Sequence, residues 1–321
     1  MRRSVGIVLL TLGFFSLSLA PLLRFYAAPK LIVAPVNEHD ILTFTAQNGS
    51  YLTADGKKVE APLVSTVTLL GVEKPSSSST AVWDYFSSLE NSSNGYSVAT
   101  NGWRMAMDRK TVELKTCCTV QVEGNTGVPQ SGLGLLFPIG GKTNKTTYKR
   151  FDPVTTRSWP AVYQSEEKVN GIKTYKFTER IEPSSIDMLP IVPGELLGLP
   201  KGNYSASKMY SADITLWVDP RTGIIVDQRQ QISADLQTGD GMGKGNILSA
   251  DLRMNDKTKA SQVKKANDAA STIQLLRLTG PLGFLIFGAV LLAAGIVLFR
   301  GHGRHRGTVA PVEAPVTEPA A

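Results

Sequence analysis

Few residues between the two long apolar stretches of this 321-residue chain are suited to chemistry. His39 is the only histidine there, which excludes Ser-His-Asp triads and histidine-based metal sites. No Gly-x-Ser-x-Gly motif is present, and the adjacent carboxylates Glu166 and Glu167 would point apart on a strand. The sequence therefore predicts a protein that is not an enzyme, with no catalytic, cofactor-binding or metal-ligating residues.

The only two cysteines, Cys117 and Cys118, are adjacent in the sequence. Neighbouring Cα atoms lie about 3.8 Å apart, which is shorter than the usual separation across a disulfide. A bridge between them would therefore need a distorted peptide. We expect two thiols on opposite faces of a strand, and a vicinal disulfide is the alternative.

A short pattern, Asp-x-x-Thr, recurs at the end of three strand-like segments. Aspartate at the first position of a turn accepts hydrogen bonds from the amides that follow, and proline at the second position fixes φ for a type I turn. We interpret these residues as structural turns rather than as catalytic or calcium-binding aspartates. They are Asp108 with Thr111; Asp152 with Pro153 and Thr155; and Asp219 with Pro220, Thr222 and Gly223.

The sequence from about residue 37 to about residue 237 is typical of an antiparallel β domain. Several segments are rich in Val, Ile, Thr and aromatic residues, and many of them alternate apolar with polar positions. Asn-Gly pairs and other glycine-containing turns separate them, at 48–49, 94–95, 101–102, 124–127, 140–141 and 170–171. The predicted strands are 41–46, 63–70, 102–108, 111–122, 174–182, 213–219 and 222–233.

Two apolar stretches predict transmembrane helices. Residues 281–299 carry no charge, and at about 1.5 Å per residue such a stretch crosses a hydrocarbon core of about 30 Å. Residues 5–23 follow Arg2 and Arg3, and Pro21 disfavours cleavage, so we expect an uncleaved signal-anchor. Basic residues flank each span, which predicts a two-pass protein of the cell membrane with both termini cytoplasmic and the main domain extracytoplasmic.

The apolar period changes to about 3.6 over residues 256–276, which predicts a stalk helix with an alanine-rich face. The expected fold class is mainly β: a large antiparallel β-rich ectodomain with a C-terminal stalk helix, flanked by two transmembrane helices. The expected domains are the N-terminal anchor (1–24), the extracytoplasmic β-rich domain (25–250), the stalk helix (251–280), the C-terminal transmembrane helix (281–299) and a basic, then disordered cytoplasmic tail (300–321).

Several segments, taken in order, resemble the actinobacterial family of porin PorA-like membrane proteins. They are residues 106–111 running into Cys117 and Cys118, then 134–138, 148–153, 169–177 and 217–223. The resemblance covers nearly the whole chain up to the C-terminal span. It implies a two-span protein of the bacterial cell envelope without known catalytic residues, and some relatives are tied to envelope lipid and lipoglycan assembly.

These observations favour a non-enzymatic protein that binds or transfers lipid or lipoglycan precursors through an apolar cavity. Leu133, Leu135 and Phe137 are candidates for lining such a cavity and otherwise would be ordinary core residues. The alternative is a scaffold or adaptor for envelope biosynthesis enzymes. A porin-type protein is less favoured, because two helical spans cannot enclose a pore and no predicted strand is patterned to face lipid. A glycan-active protein is less favoured, because it needs two facing carboxylates in a cleft and the residues present indicate no such pair.

The expected partners follow from the charge and from these hypotheses. The net charge of +7 is modest and spread along the chain, which suits an anionic membrane surface. No basic run is interleaved with aromatic residues, so no nucleic-acid partner is expected. We expect a membrane lipid or lipoglycan precursor as ligand, envelope biosynthesis proteins as further partners, and no cofactor.

Overall fold

A computed structural model describes residues 2–300 of the chain. The described residues divide into two compact units: 2–30 together with 274–300, and 31–273. The predicted cytoplasmic tail beyond Arg300 lies outside the described residues.

The first unit consists of helices. α1 (Arg2–Pro21) continues through a π-helical stretch, Leu22–Ala27, into the short α2 (Ala28–Leu31). A second π-helical stretch, Leu275–Thr279, precedes α4 (Gly280–Arg300). The helical segments Ser4–Leu31 and Asp256–Arg300 are long and apolar enough to cross a membrane. Both predicted transmembrane stretches lie within them.

Two pairs of glycines let α1 and α4 pack closely. A Cβ atom added to Gly13 would lie 3.0 Å from the Gly288 carbonyl oxygen, and one added to Gly288 would lie 2.9 Å from the Gly13 carbonyl oxygen. About two turns away, a Cβ at Gly295 would lie 3.1 Å from the Gly6 carbonyl oxygen. Small residues that let backbones approach are the usual basis of helix association in an apolar environment. These glycines therefore mark the contact face of the helix pair.

The second unit is built on an 11-stranded antiparallel sheet that curves into a half-barrel. The strand order is β5-β4-β3-β2-β1-β11-β10-β9-β8-β7-β6, so the first and last strands meet at the centre. The strands are β1 (His39–Leu52), β2 (Lys58–Gly71), β3 (Thr80–Asn91), β4 (Ser97–Asp108), β5 (Gln121–Val122), β6 (Tyr148–Asp152), β7 (Arg157–Val169), β8 (Ile172–Pro193), β9 (Asn203–Val218), β10 (Ile225–Thr238) and β11 (Lys244–Met254). The predicted fold class, mainly β with two apolar flanking helices, is confirmed.

The two edges of the half-barrel are joined by a segment without regular secondary structure, residues 131–137, which we call the bridging segment. The Leu133 amide donates to the Lys149 carbonyl, and the Leu133 carbonyl accepts from the Phe151 amide, both at 2.8 Å. On its other side, the Leu114 amide donates to the Gly132 carbonyl at 2.8 Å. Gly132 has a φ of +77°, and a Cβ atom there would lie 2.5 Å from the Lys149 carbonyl oxygen. Glycine is therefore required at this position.

The half-barrel follows from the alternation of side chains along its strands. Successive residues of a strand point to opposite faces, so every second residue lies on the concave side. On β1, Leu42 and Phe44 face the concave side, whereas Ile41 faces outward and is exposed. The outward face carries cross-strand ion pairs, such as Asp84 with Arg104 at 2.6 Å. The concave side is therefore mainly apolar, whereas the convex side carries exposed charged pairs beside single apolar residues such as Ile41.

The helix α3 (Asp256–Gln274) occupies most of the predicted stalk, although residues 251–254 belong to β11. Asn255 caps it, because its side-chain oxygen accepts from the Thr258 amide at 2.8 Å. Ala266 is fully buried and packs in a cluster with Ile172, Ile224 and Val226. The alanine-rich face therefore covers the β7–β8 and β9–β10 ends of the half-barrel.

Some predicted elements are wrong. Residues 111–122 form turns and isolated bridges, and only Gln121–Val122 is a strand. The Asn-Gly pairs at 48–49 and 101–102 lie inside β1 and β4 rather than in turns, and the pairing of β1 with β2 shifts register next to Gly49. A glycine inside a strand often marks such a bulge. The strands β3, β6, β7 and β11 were not predicted.

Candidate functional site

The concave face of the half-barrel encloses a cavity of about 270 Å³. This volume is near the lower end of the range for ligand pockets, about 300–1,000 Å³. Its wall is formed by inward-facing residues of β1–β4, β6 and β8–β11, with contributions from the bridging segment and α3. The apolar side chains on it include Leu42, Phe44, Val67, Leu69, Trp83, Leu89, Trp103, Phe151, Ile186, Ile214, Ile225, Ile232, Leu248, Leu252 and Met254.

Polar side chains also lie on the wall, and five of them form a group that we call the polar cluster: Tyr85, Arg150, Asp152, Glu179 and Tyr210. At its centre, the Arg150 guanidinium donates to the Glu179 carboxylate at 2.6 Å. Their side chains are only 8% and 2% exposed. The Arg150 Nε also donates to the Gly134 carbonyl at 3.3 Å, so the bridging segment helps to hold the guanidinium. Burial raises the pKa of Glu179, and the charge of Arg150 opposes that rise.

The polar cluster draws residues from both arms of the half-barrel. Tyr85 on β3 lies 6.0 Å from Trp103 on β4, and Trp103 lies 5.5 Å from Phe151 on β6, measured between ring centroids. This chain of rings brings Tyr85 towards Asp152, the residue next to Phe151. Burial raises the pKa of Asp152, although its carboxylate accepts from the Thr155 amide and hydroxyl at 2.7 and 2.6 Å.

Tyr210 on β9 completes the polar cluster and is 8% exposed. Among the described residues its hydroxyl makes no hydrogen bond. No fully enclosed side-chain oxygen of the described residues lacks a partner, so the Tyr210 hydroxyl opens into the cavity. Burial raises the pKa of Tyr210 well above its usual value, with Asp152 adding to the effect, and burial also raises the pKa of Tyr85. Both tyrosines therefore remain protonated at neutral pH.

A second polar group, which we call the α3 network, closes another part of the wall. Lys265 on α3 contacts Glu38 and lies 3.0 Å from Asp40, both next to the start of β1. Gln262 donates to the same Asp40 carboxylate at 2.6 Å. Burial lowers the pKa of Lys265, but the charges of Glu38 and Asp40 outweigh it, so the net pKa shift is upward. Each member of this network has a partner of opposite charge or a hydrogen bond.

The three residues predicted to line a cavity lie in the bridging segment. Leu135 lies on the cavity wall and is partly exposed. Leu133 and Phe137 are buried in the adjoining hydrophobic core, where the Phe137 ring lies 4.8 Å from the Phe177 ring. The structure therefore brings all three to the same side of the half-barrel, and only Leu135 reaches the wall.

The three Asp-x-x-Thr segments form turns. Asp108 accepts from the Lys110 and Thr111 amides at 2.8 and 3.1 Å. Lys115 lies 2.8 Å away and, with these amides, lowers the pKa of Asp108 to about 2. Asp219, followed by Pro220 and Thr222, accepts from the Arg221 amide at 2.9 Å. Gly223 has a φ of +76°, and a Cβ there would lie 2.0 Å from the Phe137 carbonyl oxygen. The same pattern at Asp152, with Pro153 and Thr155, lies on the cavity wall.

The adjacent cysteines form a vicinal disulfide in a turn outside the strands. The expectation of two thiols on opposite faces of a strand is therefore wrong. Cys118 and Thr119 have φ values of 62° and 60°, which a strand does not allow. Cys117 and Cys118 pack beside Val82, Ala106 and Val120, on the outward face of β3 and β4.

Sequence reasoning missed the polar cluster, although one signal was present. Glu179 lies between Phe177 and Ile181 on the same face of β8, and both neighbours are buried. A carboxylate at a position where alternation requires an apolar side chain indicates a buried partner. Arg150 could not be identified as that partner, because β6 and β8 are brought together only by the fold.

The profile of the family described as Porin PorA matches residues 5–297. A curated relative, "Porin PorA" of Corynebacterium resistens (strain DSM 45100 / JCM 12819 / GTC 2026 / SICGH 158), is 22% identical in an alignment of 230 residues; the match covers 52% of this chain and 55% of that protein. The match thus spans about half the length of the curated relative. The predicted family is confirmed, and with its two apolar helices the chain is a membrane protein. The chain belongs to the Porin PorA family.

Proposed function

We propose that this protein is a non-enzymatic, membrane-anchored component of the bacterial cell envelope that binds or transfers a lipid or lipoglycan precursor in the cavity of its half-barrel. The observation that supports it most is the cavity itself. An open space of about 270 Å³ inside a β domain, with a wall dominated by aliphatic and aromatic side chains, suits an acyl chain. Filling such a space with a hydrocarbon removes apolar surface from water.

The orientation proposed is that of a two-pass protein with both termini in the cytoplasm. Arg2 and Arg3 precede the first span, and Arg300 follows the second, which supports cytoplasmic ends. The half-barrel would then lie outside the membrane. Fusions at the C-terminus test this: green fluorescent protein should fluoresce, and alkaline phosphatase should be inactive. The reverse pattern would overturn the orientation.

The lipid role is tested by native mass spectrometry and lipid extraction on the full-length protein purified from a mycolate-containing bacterial host. We expect a co-purifying lipid at near one-to-one ratio. The blocking variant is Leu248→Trp, because Leu248 lies on the cavity wall. The matched control is Ser249→Trp, because Ser249 is the exposed next residue of the same strand and points outward.

The three samples separate the outcomes. Lipid retained by the wild type and by Ser249→Trp but reduced several-fold in Leu248→Trp supports the carrier. A wild-type protein free of lipid, which also takes up none from envelope extract, removes the carrier proposal and favours the scaffold. Lipid retained equally by all three proteins means that the lipid lies outside the cavity.

A porin-type activity is the second candidate, because the family and the curated relative carry that name. A barrel that crosses a membrane needs an apolar outer band. Here the outward positions of β10 and β11 carry an ion pair between Arg229 and Asp251 at 2.7 Å, as β3 and β4 do with Asp84 and Arg104. These pairs favour a water-facing convex side. Discrete conductance steps with purified protein in planar bilayers would overturn this preference.

A further inference from the structure

The polar cluster on the cavity wall is incompletely satisfied, in contrast to the α3 network. The Glu179 carboxylate has one oxygen on Arg150, and the Asp152 carboxylate has one oxygen on Thr155. The Tyr210 hydroxyl has no partner among the described residues. A hydroxyl and two carboxylate oxygens that open into a mainly apolar cavity cost free energy unless water or a ligand group occupies them. They therefore point to a ligand group that both donates and accepts hydrogen bonds.

The charges around the cavity decide what kind of group this is. The wall carries three basic side chains, Arg150, Lys208 and Lys265, against four carboxylates, Glu38, Asp40, Asp152 and Glu179. An anionic head group would compete with Glu179 for Arg150 and would lie beside Asp152, so it gains little. A cationic head group would lose its hydration inside an apolar cavity, which is far more costly than burying a hydroxyl.

An uncharged hydroxyl group satisfies the same atoms at lower cost. A hydroxyl can donate to the free carboxylate oxygen of Asp152 and accept from the Tyr210 hydroxyl. Tyr85 lies on the same cavity wall and would contact a second hydroxyl. The apolar wall around these residues would hold the attached chain.

We infer that the polar cluster is the head-group site of the cavity and that it selects an uncharged, hydroxyl-bearing lipid, such as an acylglycerol or a neutral glycolipid, over a fatty acid carboxylate or a lipid without hydroxyls. The inference rests on the proposed lipid-binding function and specifies the ligand class. It assigns Tyr210 and Asp152 as the specificity-determining residues.

The test uses full-length protein in nanodiscs and a fluorescent probe with a dodecyl chain. Three competitors share one 12-carbon chain: glycerol monolaurate, laurate and methyl laurate. We expect glycerol monolaurate to displace the probe at a concentration about five- to tenfold lower than either of the others, the effect of one or two hydrogen bonds. Empty nanodiscs give the background.

Two variants locate the selectivity. Tyr210→Phe and Asp152→Asn should each bring glycerol monolaurate to within about twofold of methyl laurate, while methyl laurate itself binds as before. Tyr51→Phe is the matched control, because Tyr51 is also a buried tyrosine but lies off the cavity wall, so it should keep the wild-type preference.

The outcomes distinguish the two proposals. Failure of the probe to bind above background overturns the lipid-binding function itself. Probe binding with equal displacement by all three competitors leaves that function in place and overturns the head-group assignment. Tightest binding of laurate overturns it in favour of an anion site. A preference that survives in both cavity variants moves the head-group site away from the polar cluster.

Discussion

Two polar groups lie on the wall of one cavity, and they differ in how completely they are satisfied. In the α3 network, Lys265 donates to two carboxylates and Gln262 donates to one of them, so every member of the group is paired. In the polar cluster, Arg150 serves one carboxylate, and the Tyr210 hydroxyl has no partner within the described chain. A group whose members are all paired within the protein is typical of a purely structural contact. A group with an unpaired hydroxyl and unpaired carboxylate oxygens can still form hydrogen bonds to a ligand.

The largest effect is expected from breaking the ion pair in the polar cluster. Arg150→Met should destabilise the fold by about 3–5 kcal/mol, because it leaves the Glu179 charge buried without a partner. Fluorescence-detected chemical unfolding in nanodiscs measures this, since Trp83 and Trp103 lie on the cavity wall. The double variant Arg150→Met with Glu179→Leu should recover most of the loss. A single-variant loss below about 1 kcal/mol would contradict the role given to this pair.

A smaller loss of stability is expected when the ion pairs of the α3 network are removed. Lys265→Met removes the partner of Glu38 and Asp40, and because Lys265 is 38% exposed, solvent screening limits the cost to about 1–3 kcal/mol. The matched control is Lys264→Met. Lys264 pairs with Asp268 on the exposed side of the same helix and is 78% exposed, so its loss should cost less than about 0.5 kcal/mol. Equal losses in the two variants would mean that Lys265 is no more than a surface charge.

The pH dependence of stability sharpens the comparison through two aspartates in the same kind of turn. Burial holds the pKa of Asp152 above its usual value, so this carboxyl stabilises the fold at low pH. That contribution is complete below the unfolded pKa of about 4 and is lost as pH rises through the folded pKa. Asp152→Asn should remove this decrease in the free energy of unfolding with rising pH, whose slope is at most about 1.4 kcal/mol per pH unit.

Asp108 should behave in the opposite way. Lys115 and the turn amides lower its pKa to about 2, so its contribution is present above about pH 4 and is lost as pH falls through about 2. Asp108→Asn should therefore flatten the acid side of the stability profile only. Unfolding measured from pH 2 to pH 8 checks both variants. Identical profiles for the two would show that the turn, rather than its surroundings, sets the pKa.

The same two aspartates show what the sequence could and could not predict. The Asp-x-x-Thr turns, most of the long strands, the stalk helix and the two apolar helices follow from local patterns, and these are present. The opposite environments of Asp108 and Asp152 do not, because Lys115 is close in sequence to the first, while the second is buried near Tyr85 on β3 and Tyr210 on β9. Burial by distant strands leaves little trace near the residue itself.

Pairing across the sheet explains the other misses. Residues 111–122 have the composition of a strand, but the positive φ values of Val112, Cys118 and Thr119 break it into turns. β3 was missed because serines interrupt its apolar pattern, as Ser87 does on the concave face. Arg150 and Glu179 are 29 residues apart in sequence, and the contact depends on β6, β7 and β8 adopting one register.

The substitution with the smallest expected effect on stability is the most informative about the polar cluster. Tyr210→Phe removes a hydroxyl that has no partner in the described chain, so without ligand the fold should change by less than about 0.5 kcal/mol. Tyr51→Phe is the contrast, because its hydroxyl accepts from the buried Asn91 amide at 3.0 Å and its loss should cost about 1 kcal/mol or more.

With glycerol monolaurate at about 100 times its dissociation constant, the free energy of unfolding of the wild type should rise by about 2.7 kcal/mol. Tyr51→Phe should gain as much, and Tyr210→Phe should gain about 1 kcal/mol less, because its affinity is lower. If Tyr210→Phe lowers the free energy of unfolding as much without ligand as with it, this hydroxyl contributes to the fold rather than to a binding site.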